Sequence, residues 1–499
     1  MYIFTNMKEY ILAIDQGTTS SRAILYDRQG NTCSIAQKEF KQIYPKPGWV
    51  EHNPREIWTS QMSVIAEAIA HMGIHDNVIN SIGITNQRET TVIWNKNTGK
   101  PIYNAIVWQD KRTTEFCNSL KKQGLSDLIK KKTGLEIDSY FSATKIKWIL
   151  DNVKNAREEA EKGNLLFGTI DSWLIWNLTN GEKHLTDITN ASRTMLFNIN
   201  TLKWDKELLK IFDIPENILP KVLSNSDDYG KTSSKLFSKR LPITGVAGDQ
   251  QASLFGQMCI KKGMTKNTYG TGCFIMKNIG NKPILSKNKL LTTIAWKLNN
   301  EITYAFEGSV FVGGAVVQWL RDELNIIRTS KAVENLVAKT EDNANVYFIP
   351  AFTGIGAPYW NQEATGTITG LTRGTGKAHI ARAAVESIAY QTYDVIKAME
   401  KDTKIPIKHL RVDGGASDND FLMQFQADIL NTKIDKPVNS EITSMGAAYF
   451  AGLYTGFWKN IDEIKDIWKT DKEFSPNMKT EEANKLIDGW HKAVNMIVK

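Results

Sequence analysis

Carboxylates and small hydroxyl residues recur at spacings suited to phosphate chemistry. In Ile11-Leu-Ala-Ile-Asp-Gln-Gly-Thr-Thr-Ser-Ser-Arg22, Asp15 ends an apolar run beside Gly17, Thr18, Thr19 and Ser20. Turns of Gly, Thr and Ser hold phosphate oxygens with backbone N–H groups and hydroxyls. On this reading Thr18, Thr19 and Arg22 touch phosphates. Asp15 stands near Mg2+ through water, because Mg2+ keeps much of its hydration shell. In Ala247-Gly-Asp-Gln-Gln251, Asp249 follows a Gly at a strand end, where it is open to a substrate. There it could accept a proton from a hydroxyl as that hydroxyl attacks phosphorus. Thr268-Tyr-Gly-Thr-Gly272 offers a further turn of N–H groups and a hydroxyl. Asp413-Gly-Gly-Ala-Ser-Asp-Asn419 places paired glycines between a strand and a helix, where backbone can approach a phosphate or a flat ligand. Each stretch alone has a plainer reading, as a capped turn, a helix cap or a β-turn. In this order they predict two turns facing across a cleft that holds a nucleoside triphosphate and its metal.

A second set fits a small polyol. Thr85-Asn-Gln-Arg-Glu-Thr90 follows a predicted strand and is dense in polar groups. Trp108-Gln109 ends another, and Tyr140 with Phe141 forms an aromatic stretch. A polyol pocket needs hydroxyl partners on one side and an aromatic wall on the other, and this set supplies both. The alternatives are a surface salt bridge between Arg88 and Glu89, and core packing for the aromatics. There is no Gly-x-x-x-x-Gly-Lys-Ser/Thr, so the turn is not a P-loop, and no His-Arg-Asp or Asp-Phe-Gly of a protein kinase.

These groups need strands that end together. Ile11–Ile14, Arg22–Tyr26 and Thr32–Lys38 read as a meander with a turn at Arg28-Gln-Gly-Asn31. Asn53-Pro-Arg-Glu56 reads as a helix start closed by a capping box, with the helix running to about Met72. Ser81–Thr85 and Thr91–Trp94 read as strands, and 110–165 as mostly helical. The second half is expected to repeat the plan from Thr244–Ala247, with a helix Gln250–Met258 joining the halves and a hinge near Ala252. Thr265–Lys277, Leu290–Ala295 and Leu410–Val412 read as strands. Gly314–Leu324, His379–Met399, Asp420–Leu430 and Ser444–Tyr454 read as helices, the last a tightly packed one. Duplicated meanders followed by helices argue for α/β domains with mixed sheets.

The 499-residue chain is long enough for two cores, and 41% hydrophobic content supplies them. Net charge is +8 with scattered lysines, which reads as solvated faces; no nucleic-acid partner is expected. Cys33, Cys117, Cys259 and Cys273 show neither a Cys-x-x-Cys pair nor zinc spacing, which fits a reducing compartment. The N-terminal stretch lacks the pattern of a signal peptide, and no apolar run reaches the ~18 residues of a membrane span. The expectation is a cytoplasmic protein without a membrane span.

Beyond these local readings, the chain from about Lys8 to about Val498 resembles the glycerol-specific branch of the FGGY carbohydrate kinase family, within the actin/Hsp70-like ATPase superfamily. The likeness runs through Asp-Gln-Gly-Thr-Thr-Ser-Ser-Arg, Pro-Gly-Trp-Val-Glu-His, Gly-Ile-Thr-Asn-Gln-Arg-Glu-Thr-Thr, Asn-Ala-Ile-Val-Trp-Gln, Asn-Ala-Ser-Arg-Thr-Met-Leu-Phe-Asn, Ala-Gly-Asp-Gln-Gln, Asn-Thr-Tyr-Gly-Thr-Gly-Cys-Phe and Arg-Val-Asp-Gly-Gly-Ala. The resemblance implies two actin-like, ribonuclease H-like ATPase domains with a central cleft, 1–252 and 253–499. It implies Mg-ATP as phosphoryl donor, glycerol as acceptor, Asp249 as general base, and a homodimer or homotetramer. Glycerol would meet Arg88, Glu89, Trp108, Tyr140, Asp249, Gln250 and Phe274. ATP would meet Thr18, Thr19, Ser20, Arg22, Thr271, Gly314, Gln318, Gly415 and Asn419.

Two departures from the family pattern stand out. Thr232-Ser-Ser-Lys-Leu-Phe-Ser-Lys-Arg240 has neither the Gly-rich loop of members inhibited by fructose 1,6-bisphosphate nor the His of members activated by phosphotransfer. The likeness begins at Met7, so residues 1–6 read as a short extension or an alternative start. Competing readings are a kinase for another polyol or ketose, and a nucleotide-switched binding protein that does no chemistry. The first is opposed by Arg88 with Glu89; the second would not need Asp249, Arg88 and a polyol pocket together.

Overall fold

The computed structural model of the protein describes residues 8–361 and 363–498; the alternative start at Met7 lies outside them. Two large sheets carry the fold. The first comprises β1 (Tyr10–Gln16), β2 (Ser20–Tyr26), β3 (Thr32–Glu39), β4 (Ile79–Asn86) and β5 (Ile243–Gly248), in the order β5-β4-β1-β2-β3. Strand β1 pairs antiparallel with β2 and parallel with β4, which is parallel to β5. The second comprises β6 (Thr265–Tyr269), β7 (Cys273–Gly280), β8 (Leu291–Leu298), β9 (Glu301–Val310), β10 (His409–Asp413), β11 (Lys433–Pro437) and β12 (Thr470–Phe474), in the order β8-β9-β7-β6-β10-β11-β12.

The repeat is real but starts later than the sequence led us to expect. Strand β5, expected to open the second half, is the edge of the first sheet, with Val246 opposite Ile84 and Gly248 opposite Asn86. The second unit begins at β6, which pairs antiparallel with β7 and parallel with β10, as β1 does with β2 and β4. Expected strand 265–277 is therefore a hairpin, broken at Gly270–Gly272. The Gly17–Thr19 turn of the first unit corresponds to that break in the second. Strand β9 was not expected at all, yet it is the longest of the sheet and pairs with both β7 and β8.

The central strands are buried on both faces, so they read as continuous apolar runs: Tyr10 to Ile14 is buried throughout. Helix α1 (Pro54–Met72) covers β2 and β3. Its N-cap Asn53 accepts from Arg55 N, but Glu56 does not close a capping box; its carboxylate accepts from Lys41 N at 2.9 Å. Helices α2 (Ser142–Asn152), α3 (Ile188–Ser192), α4 (Asp249–Gly256), α5 (Ala315–Asp322), α6 (Lys377–Thr403), α7 (Asp420–Leu430) and α8 (Ile442–Thr455) bear on the site or on the join between units. Helix α8 comes from the second half of the chain but packs on β4, β5 and α4. The approach is backbone to backbone: a Cβ at Gly446 would collide with Ala252 O, and one at Gly83 with Ala447 O. This Gly-Ala-Ala face is why α8 looks tightly packed in sequence. It also clamps the segment around Ala252, which is fully buried. Among the described residues no helix is long and apolar enough to cross a membrane, and all four cysteines are free.

Candidate functional site

The first turn is a tight hairpin in which Gly17 N donates to Ser20 O at 2.9 Å. It leaves Thr19 exposed and Thr18 half-buried, with Thr18 Oγ1 accepting from Trp108 Nε1 at 2.9 Å. Ser20 is buried in β2, and its Oγ accepts from Gln37 at 3.1 Å. Arg22, opposite Asp15 across the hairpin, pairs with Glu441 at the start of α8, 3.1 Å away. Among the described residues the Asp15 side chain has no hydrogen-bond or ion-pair partner. Burial raises it to about 7; Arg22 lowers it in part, while Glu441 and Asp249 push it further up. A carboxylate crowded by carboxylates and short of donors is the setting that a hydrated divalent cation satisfies.

Asp249 opens α4 at the carboxyl end of β5. Beneath it, Gly248 N donates to Thr189 Oγ1 at 2.9 Å, and Thr189 is held in turn by Asp187. Asp249 Oδ1 accepts from Gln250 N at 2.7 Å and forms an ion pair with Arg88, 3.0 Å from its Nε. Its Oδ2 has no partner among the described residues. Arg88 is buried and spends its other donors on Glu307, at 2.6 and 2.9 Å, and on Gln251 at 3.3 Å. The guanidinium inventory leaves one Nη2 hydrogen for a ligand.

The surface salt bridge between Arg88 and Glu89 does not occur. Both are buried, and each turns to a different partner: Glu89 accepts from Arg193 Nε at 2.6 Å, and Arg193 Nη2 also reaches Glu307 at 3.2 Å. Glu89 has φ 60°, uncommon for a residue with a side chain. The neighbourhood enforces it: Thr90 N donates to Arg88 O at 2.7 Å, and Glu89 O accepts from Ser142 Oγ at 2.9 Å and Thr91 Oγ1 at 3.0 Å. The result is a buried lattice of two guanidinium and two carboxylate groups. Three come from the first unit, and Glu307 comes from β9 of the second.

Burial alone would raise the Glu307 carboxyl, but Arg193 and Arg88 outweigh it and hold it down at about 2. Glu307→Ala would leave two buried cations short of an anion. Removing one partner of a buried pair costs about 3–5 kcal/mol, so a marked drop in the urea midpoint is expected. This stability should be complete above the ordinary Glu value of 4.5 and drain away as the pH falls to about 2. A Glu307→Ala protein as resistant to urea as wild type at pH 7 would refute this accounting.

An aromatic wall stands beside the lattice. Trp108 meets Tyr140 edge-on at 5.5 Å and Phe274 at 6.3 Å. Phe274 belongs to β7, so the wall spans both units. Lys145 on α2 holds the segment that presents Tyr140, donating to Tyr140 O at 2.7 Å and Phe141 O at 3.1 Å. On the other side three loops meet. Gly314 N donates to Gly270 O, and Gly313 N to Thr271 O, both at 2.8 Å. Gly414, at φ 87°, lies so close to Tyr269 that a Cβ would strike its carbonyl oxygen. Around this platform Thr271, Gln318 and Gly415 are exposed. Asn419 caps α7, with Oδ1 accepting from Leu422 N at 2.8 Å. Asp413 ends β10 and accepts from Ser253 at 3.0 Å and Gln257 at 2.9 Å, tying the platform to α4.

The site residues read from sequence thus fall in two groups, at the wall and lattice and at the three-loop platform, with Asp15 on β1 and Arg22 on β2 flanking the first turn. Glu307 and Arg193 were missed. Arg193 lies inside Asn-Ala-Ser-Arg-Thr, a stretch that invited a closer look; Glu307 sits in a strand that offered no sign.

Residues 10–256 match the N-terminal domain, and 265–454 the C-terminal domain, of the FGGY family of carbohydrate kinases. The chain is 60% identical to a glycerol kinase of Paraburkholderia phymatum over 97% of each chain. It is 59% identical to one of Burkholderia cenocepacia, with the same coverage. Among solved structures it is similar to Plasmodium falciparum glycerol kinase with ADP, with a TM-score of 0.92, 39% identity and 99% of each chain covered. It is also similar to gluconate kinase of Lactobacillus acidophilus, with a TM-score of 0.89, 25% identity and 99% of each chain covered.

Proposed function

The chain belongs to the FGGY family of carbohydrate kinases, and from that premise we propose that it transfers the γ-phosphoryl group of ATP to glycerol, giving sn-glycerol 3-phosphate and ADP. The observation that carries this reading is the Arg88–Asp249 contact of 3.0 Å beneath the Trp108, Tyr140 and Phe274 wall. It sets a buried cation and a carboxylate with an open oxygen beside an apolar face, the combination a small polyol needs.

The chemistry then follows from the chain's own groups. Glycerol's carbons lie against Trp108, Tyr140 and Phe274, and Arg88, Glu89, Gln250 and Asp249 take its hydroxyls. The reacting hydroxyl gives its proton to Asp249 Oδ2, its oxygen bonds the γ-phosphorus, and the bond from that phosphorus to the bridging oxygen of ADP breaks. In such transfers the protein contributes positioning and charge stabilisation. Thr18, Thr19, Ser20 and Arg22 hold the phosphates from one side, with Arg22 exchanging Glu441 for a phosphate. Thr271, Gly314, Gln318, Gly415 and Asn419 hold the nucleotide from the other. Asp15 would hold Mg2+ through water, and the ion when bound neutralises charge on the phosphate oxygens. We place the domain boundary at 252/253, the assembly as a homodimer or homotetramer, and the protein in the cytoplasm.

A coupled ADP-release assay with and without glycerol tests the reading. Release that depends on glycerol and not on other polyols or ketoses is expected. ADP release equal without glycerol would overturn it.

Control is expected to differ from that of the inhibited and phosphotransfer-activated members. The segment Thr232–Arg240 is pinned to its own chain: Arg240 donates to Thr232 O at 2.9 Å and Glu182 at 2.8 Å, and Ser238 N donates to Asp76 at 2.6 Å. With its guanidinium so committed and no Gly to admit an anion to the backbone, the segment should bind fructose 1,6-bisphosphate poorly. Millimolar bisphosphate, titrated against steady-state glycerol phosphorylation, should inhibit little. Saturable inhibition that disappears on replacing Arg240 would show the opposite.

A further inference from the structure

Lys266 lies on β6, two positions before Thr268 on the same strand, and its side chain is fully buried. A buried ammonium is costly unless it is paired. Yet among the described residues no carboxylate lies within ion-pair distance of Nζ. It donates instead to Gln250 Oε1, and to Thr268 Oγ1 at 2.7 Å. The charges that face it stand further off: Asp413 on β10, Asp249 on α4 and Glu307 on β9, opposed by Arg88.

The use of so expensive a cation follows from what it can bond. An ammonium only donates, whereas a carboxamide has an accepting end and a donating end that exchange on a flip. Lys266 therefore admits only the Gln250 oxygen. The Gln250 nitrogen must face the other way, and among the described residues it has no hydrogen-bond partner. Gln250 adjoins Asp249, whose Oδ2 is the open acceptor. Resting on the function proposed above, we propose that Lys266 is a positioning residue that locks the Gln250 amide with its N–H donors toward the polyol, beside Asp249. One face of the site then presents an acceptor for the reacting hydroxyl and donors, from Gln250 and Arg88, for the oxygens of the others. Without the lock the amide can turn its oxygen inward and compete with Asp249 for the same proton.

Burial lowers Lys266 to about 8, with Asp413 and Asp249 opposing the shift. The neutral amine accepts as well as donates, so the lock loosens above that pH.

The test is a double-mutant cycle in the ADP-release assay, with KM for glycerol and for ATP measured separately. Lys266→Met is expected to raise the glycerol KM at least tenfold and the ATP KM less than twofold. In a Gln250→Ala background the same change should add less than twofold, because Lys266 acts through Gln250. Full additivity, or an unchanged glycerol KM in Lys266→Met, would overturn the proposal. Should Lys266→Met fail to fold, pH replaces it: the wild-type glycerol KM should climb above pH 8, and that climb should vanish in Gln250→Ala. A climb that persists in Gln250→Ala overturns the proposal. Wild-type protein with no glycerol-dependent turnover would instead bring down the proposed function itself.

Discussion

Asp249→Asn is expected to cut kcat with glycerol by about 10²–10⁴-fold, the usual worth of a general base, while glycerol affinity changes little. The two carboxylate oxygens have separate duties. Oδ1 accepts from Gln250 N and lies 3.0 Å from Arg88 Nε, and these two groups will hold the amide oxygen of Asn in the same place. The amide nitrogen must then replace Oδ2, the atom left open for the substrate. The variant keeps the shape, the Arg88 contact and the helix start, and loses only the group proposed to take the proton. Binding and chemistry should therefore separate: single-turnover rates fall while the glycerol dissociation constant stays within a few-fold. Near-native turnover in Asp249→Asn would remove Asp249 from the chemistry. A collapse of glycerol binding would show instead that the charge, not the proton transfer, is what the site needs.

The parts of the site that sequence displays are those built from contiguous residues. The Gly17–Thr19 turn announces itself because an apolar strand stops at Asp15 and three small residues follow. Asp249 is visible for the same reason. The partners of Arg88 and Glu89 are not, since Arg193 is about a hundred positions from Glu89, and Glu307 is more than two hundred from Arg88 and lies mid-strand between buried neighbours. Nothing local distinguishes it from a solvent-facing Glu on a half-exposed strand. Lys266 is hidden likewise, because alternation around Thr265–Tyr269 would turn a lysine outward, and only the cover of α4 and β10 makes its position interior. The misplaced start of the repeat has a related cause. Strand β5 is short, apolar and followed by Asp, so alone it looks like β1; its place at the edge of the first sheet is set by pairing with β4, which no local pattern records. Fold class was easier to read, because two buried meanders with intervening helices leave few ways to cover a mixed sheet.

Substrate selection should follow the same division between buried donors and an apolar wall. With 1,3-propanediol, which lacks the central hydroxyl, kcat/KM is expected to fall by about 10²–10⁴-fold relative to glycerol. The remaining Nη2 hydrogen of Arg88 and the Gln250 amide would face a carbon, and a donor left unpaired costs about 1–3 kcal/mol, more when charged. Sites that bond a hydroxyl reject its absence by up to about 10⁴–10⁵-fold, but this one should fall short of that ceiling. Asp249 keeps 31% of its side chain exposed, so water can enter and satisfy part of what the diol cannot. The wall is expected to matter less. Trimming Phe274 to Leu removes apolar contact without orphaning a polar group, a change in the range of about 1–3 kcal/mol. The ranking is the discriminating result: loss of a substrate hydroxyl should cost more than loss of an aromatic edge. Equal kcat/KM for glycerol and 1,3-propanediol would mean that Arg88 and Gln250 do not read the central hydroxyl. The buried lattice around Arg88 would then be holding the two units together rather than shaping a polyol site.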